Sequence, residues 1–241
     1  PEILVARDMR PSGVELAEAF ADGVRSQGVD VVDLGLASTD LLYYASGSRG
    51  APGAMFTASH NPAQYNGIKF CLADAKPVGA DSGLSEIKEL ARSPLDAVAT
   101  KGGLRSQDLL GEFANHVRSF VDTSAFKPLK VVADTANGMG GLVVPAVFES
   151  LPFDLEIMYG ELDGSFPNHP ADPLQPANQR DLCARVREVG ADVGFAFDGD
   201  GDRVLMIDNE GNIIWPDRMM MLLLEDILPR RPGADVLFDV K

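Results

Sequence analysis

Strand patterns and helix patterns alternate along most of the chain. The apolar run EILVARD is followed by a helix pattern, and Gly28 separates this helix from the strand-like run VDVVDLG. Ser12 and Glu15 have the spacing of a capping box at the start of the helix. The apolar stripe of the helix consists of Val14, Ala17, Phe20, Ala21 and Val24. A strand, a helix and a second strand in this order predict a βαβ unit and therefore an α/β fold.

The same order of elements occurs a second time. In the first half, PGAMFTAS and GIKFCL predict two further strands, and GLSEIKELARS and LLGEFANHVRSFVD predict helices. The second half contains the strand-like runs KVVADTA, FDLEIMYG, VGFAFDGDGD and RVLMIDNEG, with helices predicted over residues 142–149 and 178–189. We therefore predict two α/β domains, over residues 1–127 and 128–232, followed by the first strand of a third domain over residues 233–241.

Both ends of the sequence lie on strand-like runs. The chain begins at Pro1 directly on the first of them and ends with another, ADVLFDVK. Because the sequence opens without Met and nothing follows the last strand-like run, we expect it to be a fragment of a longer protein.

Composition disfavours several classes of partner. The 36 acidic and 21 basic residues give a net charge of −15, which repels nucleic acid and anionic membrane surfaces. The longest apolar run, MMMLLL, is far shorter than the roughly 20 residues of a membrane-spanning helix. Cys71 and Cys183 form no C-x-x-C pair, so the sequence indicates neither a zinc site nor a disulfide framework. We expect a cytoplasmic protein that binds neither nucleic acid nor membrane.

The segment DGDGDR is the strongest indication of a metal site. Asp198, Asp200 and Asp202 alternate with glycines between two strand-like runs, so a flexible loop can bring three carboxylates together. At about 5 Å separation and an effective dielectric constant of about 20, each pair of these charges costs about 3 kcal/mol. Carboxylates that converge therefore need a cation, and hard oxygen ligands suit Mg²⁺. The alternative is a solvated hairpin turn in which the three side chains point apart.

Ser59 lies in the polar segment TASHNP between two apolar runs. Thr57 and Asn61 occupy the positions that glycine takes in the G-x-S-x-G motif of serine hydrolases, which disfavours acyl transfer. On local grounds the serine is either a turn or capping residue, or a carrier of a phosphoryl group. The second interpretation requires a divalent cation, which the aspartate segment would bind.

Other polar residues give weaker indications. Lys69 alternates with Ile68 and Phe70, so in a strand its side chain points away from the apolar face. Arg10 lies at the end of the first strand, where open α/β sheets bind ligands, although a salt bridge at the helix start is an alternative. His60 and His169 are typical of hydrogen-bonded structural histidines, and DTANGMGG is typical of a tight turn between strand and helix.

The segments TASHNP, NGIK and DGDGDR, in this order, resemble the α-D-phosphohexomutase family. DMRPS, DTANGMGG and PNHPADPL are also similar to segments of that family. The resemblance implies a protein of four domains around a central cleft, of which this chain contains most of the first, all of the second and the opening strand of the third. It implies two tandem three-layer α/β/α domains with mixed, mostly parallel sheets.

The resemblance also implies a reaction. Phosphate moves between O1 and O6 of a hexose by way of a phosphoserine and a hexose 1,6-bisphosphate, which also serves as activator. The implied roles are as follows: Ser59 carries the phosphoryl group; Asp198, Asp200 and Asp202 bind one Mg²⁺ together with a phosphoserine oxygen on Ser59; Arg203 and Arg10 contact phosphate; Lys69 and His60 assist proton transfer; Asn61 binds substrate.

Several alternatives stay open at this level. TASHNP favours the branch that acts on mannose or glucose phosphates over the phosphoglucosamine branch, and the choice between mannose and glucose is not readable from these segments. A divalent-metal or sugar-phosphate binding module without turnover is the alternative outside the enzymes. The protein is expected to be a monomer or a dimer, with a phosphosugar as its partner.

Overall fold

The computed structural model describes residues 1–93 and 95–237, which form two sheets with helices on their faces. The first sheet has the order β5-β4-β3-β1-β2-β6. Its strands are β1 (Glu2–Arg7), β2 (Asp30–Leu36), β3 (Gly53–Phe56), β4 (Ile68–Leu72), β5 (Lys76–Pro77) and β6 (Leu104–Ser106). The associated helices are α1 (Ser12–Ser26), α2 (Thr39–Arg49), α3 (Leu84–Leu90) and α4 (Leu110–Arg118).

The first sheet is covered on both faces because its central strands are apolar on both sides. Leu4 and Ala6 of β1 pack on one face with residues of α2 and α4, such as Leu42 and Phe113. Val5, between them, packs on the other face with the α1 side chains Ala17, Phe20, Ala21 and Val24. Val14, predicted in the α1 stripe, is instead 39% exposed. The alternation along β1 therefore produces three layers.

The second sheet has the order β11-β10-β9-β7-β8. Its strands are β7 (Leu129–Asp134), β8 (Phe153–Met158), β9 (Val193–Phe197), β10 (Val204–Asp208) and β11 (Ile213–Ile214), and its helices are α5 (Gly140–Phe148), α6 (Arg180–Val189) and α7 (Pro216–Arg230). Leu182 and Val186 of α6 pack against Val132, Ala196 and Ile207 of the sheet.

The sheets are mixed, as the family resemblance implied. In the described part of the chain β1 is parallel to β2 and β3, β2 to β6, and β7 to β8 and β9, whereas the remaining four pairings are antiparallel. The central strands β1 and β7 therefore have parallel neighbours on both sides. As a result, the loops that follow β1, β3, β7 and β9 leave their sheets at carboxyl ends, where α/β proteins bind ligands.

Several sequence expectations are corrected by the structure. Helices α2 and α7 and the short strand β6 were not predicted. The capping box of α1 is absent because Pro11 occupies the N-cap position, and the Ser12 hydroxyl instead accepts a hydrogen bond from the Asn66 amide. Residues 234–237 form no strand, and the rest of the predicted third-domain strand, residues 238–241, lies outside the described residues.

The predicted boundary at residues 127–128 lies just before β7, and both predicted boundaries remain predictions. Among the helices of the described residues, none combines the length and apolar composition needed to cross a bilayer.

Replacement of Leu182 by Ala tests the packing of α6. Leu182 is fully buried (0% exposed), so we expect the variant to lose about 2–5 kcal/mol of unfolding free energy through lost burial and a residual cavity. The control is Leu222→Ala on α7, where the side chain is 58% exposed and the expected loss is below about 0.5 kcal/mol. Urea unfolding followed by circular dichroism measures both, and equal losses would contradict the assigned core.

Candidate active site

Two loops, one from each sheet, meet at Ser59. Ser59 lies in the loop between β3 and β4, and Asp198 begins the loop between β9 and β10. The Ser59 hydroxyl donates a hydrogen bond of 2.6 Å to Oδ2 of Asp198. Both residues are buried, Ser59 being 6% exposed. The structure therefore brings together the two segments that the sequence singled out, 139 residues apart.

A glycine permits this close approach. A Cβ atom on Gly199 would lie 2.5 Å from the carbonyl oxygen of Ser59, which is shorter than real Cβ contacts. Any side chain at this position would therefore force the aspartate loop away from the serine loop. This contact gives a physical reason for one glycine of the DGDGDR segment.

The backbone of Ser59 is held in an uncommon conformation. Its φ angle is 52°, in the left-handed region that residues other than glycine seldom adopt. The amide of Ser59 donates to the Thr57 hydroxyl at 2.8 Å, which stabilises this turn. Strain of this kind persists where the surrounding structure holds it in place, and it is concentrated at functional sites.

Arg10 supplies much of that support from beneath the loop. It is fully buried and forms a 3.1 Å ion pair with Asp8. Its two terminal nitrogens donate to four carbonyl oxygens of the serine loop, those of Ser59, Asn61, Pro62 and Tyr65. With Nε bound to Asp8, all five guanidinium N–H groups are in use. The geometry therefore favours a positioning role for Arg10 over the phosphate contact that the resemblance implied.

The three aspartates of the second loop converge. One carboxylate oxygen from each of Asp198, Asp200 and Asp202 lies within 4.8 Å of the others. Asp198 and Asp200 are fully buried, whereas Asp202 is partly exposed. Oδ1 of Asp198 accepts the backbone N–H groups of Asp202 and Arg203, each at 3.1 Å, which closes the loop around it. The alternative of an open turn with diverging side chains is therefore excluded.

The pKa values of the two buried aspartates, Asp198 and Asp200, are shifted in opposite directions. Burial, followed by the charge of Asp200, raises the pKa of Asp198 to about 7. Burial also tends to raise the pKa of Asp200, but hydrogen bonds from Lys69 and Thr39 outweigh that effect and lower it. Asp200 therefore carries the more firmly ionised carboxylate of this buried pair.

Lys69 approaches the carboxylates from the solvent side. Its ammonium group lies 2.6 Å from Oδ2 of Asp200 and 2.7 Å from Oδ2 of Asp202. Burial tends to lower the pKa of Lys69, but these two hydrogen bonds outweigh that effect and raise it. The side chain is therefore charged at neutral pH and offsets part of the cluster's negative charge. Its direction agrees with the strand pattern, which placed it away from the apolar face.

One oxygen of the cluster has no hydrogen-bond partner. Oδ1 of Asp200 is buried and unpartnered within the described part of the chain, whereas Oδ2 accepts from both Lys69 and Thr39. An unsatisfied buried carboxylate oxygen is costly unless a cation or another donor meets it. Three hard oxygen donors with one oxygen left free fit a divalent cation such as Mg²⁺.

His60 and Arg203 lie on the exposed side of Ser59. Nη1 of Arg203 is 2.9 Å from Nδ1 of His60, and because a guanidinium can only donate, Nδ1 is the acceptor. The same nitrogen is 3.4 Å from the Ser59 hydroxyl, whose proton goes to the closer Asp198. Nε of Arg203 lies 4.0 Å from carboxylate oxygens of Asp198 and Asp202.

Asn61 lies at the exposed edge of the serine loop. Its amide donates to the carbonyl of Ala58 at 2.9 Å, a bond within the loop itself. It does not join the carboxylate cluster, and its role in substrate binding stays a prediction.

Sequence reasoning missed Thr39 and underestimated the DTANGMGG turn. Thr39, the first residue of α2, donates its hydroxyl to Oδ2 of Asp200 at 2.6 Å. The amide of Met139 in the turn donates to the carbonyl of Gly199 at 2.8 Å, so this turn supports the aspartate loop from its other side. A threonine one residue after a possible N-cap was the only sequence signal for Thr39, because its partner is 161 residues away.

His169 anchors a further loop at the same edge. Its Nε2 lies 2.9 Å from Oδ2 of Asp134, and its Nδ1 lies 2.9 Å from the carbonyl of Pro170. Both partners are acceptors, so the protonated imidazolium satisfies both contacts. Phe166 of this loop places its ring 5.1 Å from the guanidinium of Arg10. The anchored loop therefore covers the residue that holds the serine loop.

Two protein-family models match the chain. The model for phosphoglucomutase/phosphomannomutase α/β/α domain I matches residues 1–95, and the model for α/β/α domain II matches residues 111–211. The chain belongs to the phosphoglucomutase/phosphomannomutase family. The resemblance drawn from TASHNP, NGIK and DGDGDR is thereby confirmed.

Individual members of the family are similar over the whole chain. A phosphomannomutase/phosphoglucomutase of Pseudomonas aeruginosa is 41% identical, with 100% of this chain and 51% of the relative covered. A phosphoglucomutase of Neisseria meningitidis is 37% identical, with 99% of this chain and 52% of the relative covered. The crystal structure of a family protein from Burkholderia thailandensis superposes with a TM-score of 0.85 at 37% identity, over 97% of this chain and 52% of that one. The chain therefore spans about half the length of the curated relatives it matches.

The His169–Asp134 pair predicts a pH-dependent contribution to stability. Burial tends to lower the pKa of His169, but the hydrogen bond and charge of Asp134 outweigh it, so the folded-state pKa lies above the ordinary value of about 6.5. The contribution is therefore fully present below about pH 6.5 and is lost as pH rises through the folded-state pKa. We expect the melting-temperature difference between the wild type and His169→Gln to be largest at about pH 6 and to shrink towards about pH 8.5.

Thermal unfolding of both proteins across this range measures that difference. A difference that stays constant, or that grows with pH, would contradict the charged pair.

Proposed function

We propose that this chain supplies the phosphoryl-carrying half of a phosphohexomutase that interconverts hexose 1-phosphate and hexose 6-phosphate. The observation that carries the proposal is the 2.6 Å hydrogen bond between Ser59 and Asp198, in a loop whose strained backbone is held by Arg10. The names of the relatives, which include phosphomannomutase/phosphoglucomutase and phosphoglucomutase, support mannose or glucose as the hexose.

Ser59 is placed to act as the nucleophile. When its Oγ forms a bond to the phosphorus of a phosphosugar, the bond from phosphorus to the sugar oxygen breaks. Because Asp198 is also a proposed metal ligand and has to stay ionised, the hydroxyl proton passes to His60, whose Nδ1 lies 3.4 Å from the Ser59 hydroxyl. In each cycle the phosphoserine first transfers its phosphoryl group to the free hydroxyl of a hexose monophosphate, which forms a hexose 1,6-bisphosphate. Ser59 then takes the phosphoryl group from the other end of the turned bisphosphate, so the phosphoserine is regenerated and the isomeric monophosphate is released. The same bisphosphate also serves to charge the free enzyme.

Lys69 is suited to be an acid at the sugar oxygen. Its raised pKa keeps it protonated, and its partly exposed ammonium group lies on the solvent side of the carboxylates. It can donate a proton to the sugar oxygen that leaves when Ser59 takes up a phosphoryl group, and it can recover one from the sugar hydroxyl that attacks the phosphoserine. We propose that His60 assists proton transfer, because its Nδ1 lies 3.4 Å from the Ser59 hydroxyl.

Arg203 is the proposed phosphate-binding residue. Its side chain is 46% exposed and lies beside both Ser59's loop and the carboxylates. A guanidinium in this place offers two parallel donors to phosphate oxygens and offsets the negative net charge of the chain near the site. Asn61 is proposed to contact the substrate from the exposed edge of the same loop.

Asp198, Asp200 and Asp202, with an oxygen of the Ser59 phosphoryl group, would hold one Mg²⁺. The unpartnered Oδ1 of Asp200 and the hard donors around it support this assignment. When bound, Mg²⁺ would neutralise phosphoryl oxygen charge and act as a Lewis acid in the transfer. The two unpaired cysteines also fit the reducing cytoplasm, the location we propose.

Phosphoryl transfer to Ser59 can be tested by intact mass. After treatment with a phosphatase, incubation with glucose 1,6-bisphosphate and Mg²⁺ should add the mass of one phosphoryl group, and peptide mapping should locate it on Ser59. Ser59→Ala should add none, whereas the control Ser26→Ala, at the partly buried last residue of α1, should behave like the wild type. A chelator should suppress the incorporation. Phosphorylation that persists in Ser59→Ala would contradict the proposal.

Turnover by the 241-residue chain alone should be far below that of typical enzymes. A bisphosphate has two anionic ends, and the described residues supply candidates for the reactive end. Orientation of the second end can be worth about 7–11 kcal/mol in well-positioned reactions, and each 1.4 kcal/mol is about tenfold in rate. We expect conversion of glucose 1-phosphate to glucose 6-phosphate well below the typical range of about 1–1000 per second. A coupled dehydrogenase assay measures this rate, and a value within that range would contradict the expectation.

A further inference from the structure

Thr39 connects the first sheet's helix α2 to the aspartate loop by two separate bonds. Its hydroxyl donates to Oδ2 of Asp200 at 2.6 Å, and its backbone N–H donates to the carbonyl oxygen of Asp200 at 3.1 Å. Thr39 is 0% exposed, so neither bond competes with water. The amide of Met139 also binds this loop, at the carbonyl of Gly199, so the loop has main-chain support that does not involve the Thr39 hydroxyl.

The hydroxyl bond decides which oxygen of Asp200 is free. Thr39 and Lys69 both donate to Oδ2, and Oδ1 is the buried oxygen without a partner among the described residues. A carboxylate whose Oδ2 is bound in this way cannot rotate without losing short hydrogen bonds. Asp200 is therefore left with one defined oxygen, Oδ1, that is available to a cation.

Of the two donors to Oδ2 of Asp200, Thr39 is held in place more firmly than Lys69. The Lys69 side chain is 31% exposed and has four rotatable carbon–carbon bonds, and in the proposed reaction it moves its proton to and from the sugar. The threonine is β-branched, buried and fixed at the first turn of a helix. When Lys69 turns towards the substrate, the Thr39 hydroxyl remains on Oδ2 of Asp200.

We propose that Thr39 is a positioning residue that restricts Asp200 to a single metal-binding oxygen and thereby favours Mg²⁺ over Ca²⁺. This inference rests on the proposed metal site. Mg²⁺ requires near-octahedral geometry with short bonds, whereas Ca²⁺ accepts bidentate carboxylates and variable coordination. Release of Oδ2 would let Asp200 bind through both oxygens, an arrangement that suits Ca²⁺ better.

Thr39→Val, Thr39→Ser and the wild type test the inference by calorimetric titration with MgCl₂ and with CaCl₂. Valine is close to threonine in shape and keeps the backbone bond to Asp200 but lacks the hydroxyl, whereas serine keeps the hydroxyl. We expect Thr39→Val to weaken Mg²⁺ binding by about 10- to 100-fold, as loss of an orienting partner does in other metal sites. We expect Ca²⁺ binding to change by less than about threefold, because Ca²⁺ tolerates the altered carboxylate. Thr39→Ser should retain the wild-type preference.

Each outcome distinguishes the inference from the proposed metal site. Binding of neither cation to the wild type would overturn the metal site and the inference with it. Wild-type binding of Mg²⁺ that is unchanged in Thr39→Val, or equal weakening of both cations, would overturn the inference alone and leave the metal site standing. If circular dichroism shows that Thr39→Val does not fold, Thr39→Ala replaces it, because it removes the same hydroxyl with a smaller side chain. It is judged by the same comparison, the loss of Mg²⁺ affinity against the loss of Ca²⁺ affinity.

Discussion

The buried guanidinium of Arg10 holds the loop on which the proposed chemistry depends. A charged group placed beyond the reach of water is costly unless its donors are satisfied, and here one carboxylate and four carbonyl oxygens satisfy all five. The same bonds fix the carbonyls of a loop whose central residue, Ser59, has a left-handed backbone. The loop carbonyls therefore satisfy the buried guanidinium, and the guanidinium in turn stabilises the strained conformation of the loop.

Negatively and positively charged side chains face each other beside this loop. Two buried carboxylates and a partly exposed one face Lys69 and Arg203, which approach from the solvent side. Among the described residues, Oδ1 of Asp200 has no hydrogen-bond donor. The divalent cation that we propose for this site would add positive charge there and would offset the charge of a phosphoryl group.

The sequence predicted the parts of the fold that follow simple periodicity. The apolar run of β1, the apolar stripe of α1 and the strand-like run that follows led to the α/β class, and the polar segments between strand-like runs indicated the two functional loops. Helix α2 was missed because it buries both Leu41 and Ser46 and contains a glycine, so no simple apolar stripe marks it. The three-residue strand β6 is too short to show a pattern. The bond from Thr39 to Asp200 and the bond from Arg10 to Ser59 each join residues more than 45 positions apart, which no local pattern reveals.

Main-chain atoms make part of the contact around the aspartate loop. The amides of Thr39 and Met139 bind carbonyls of the aspartate loop, and Gly199 rests against the carbonyl of Ser59. Main-chain groups are the same whatever side chain a residue carries. Substitutions that alter the reactive groups can therefore change the chemistry of this edge while the separation between serine and carboxylates is preserved. In such a scaffold the main-chain contacts set the distance between the reacting groups, whereas the side chains determine which reaction takes place.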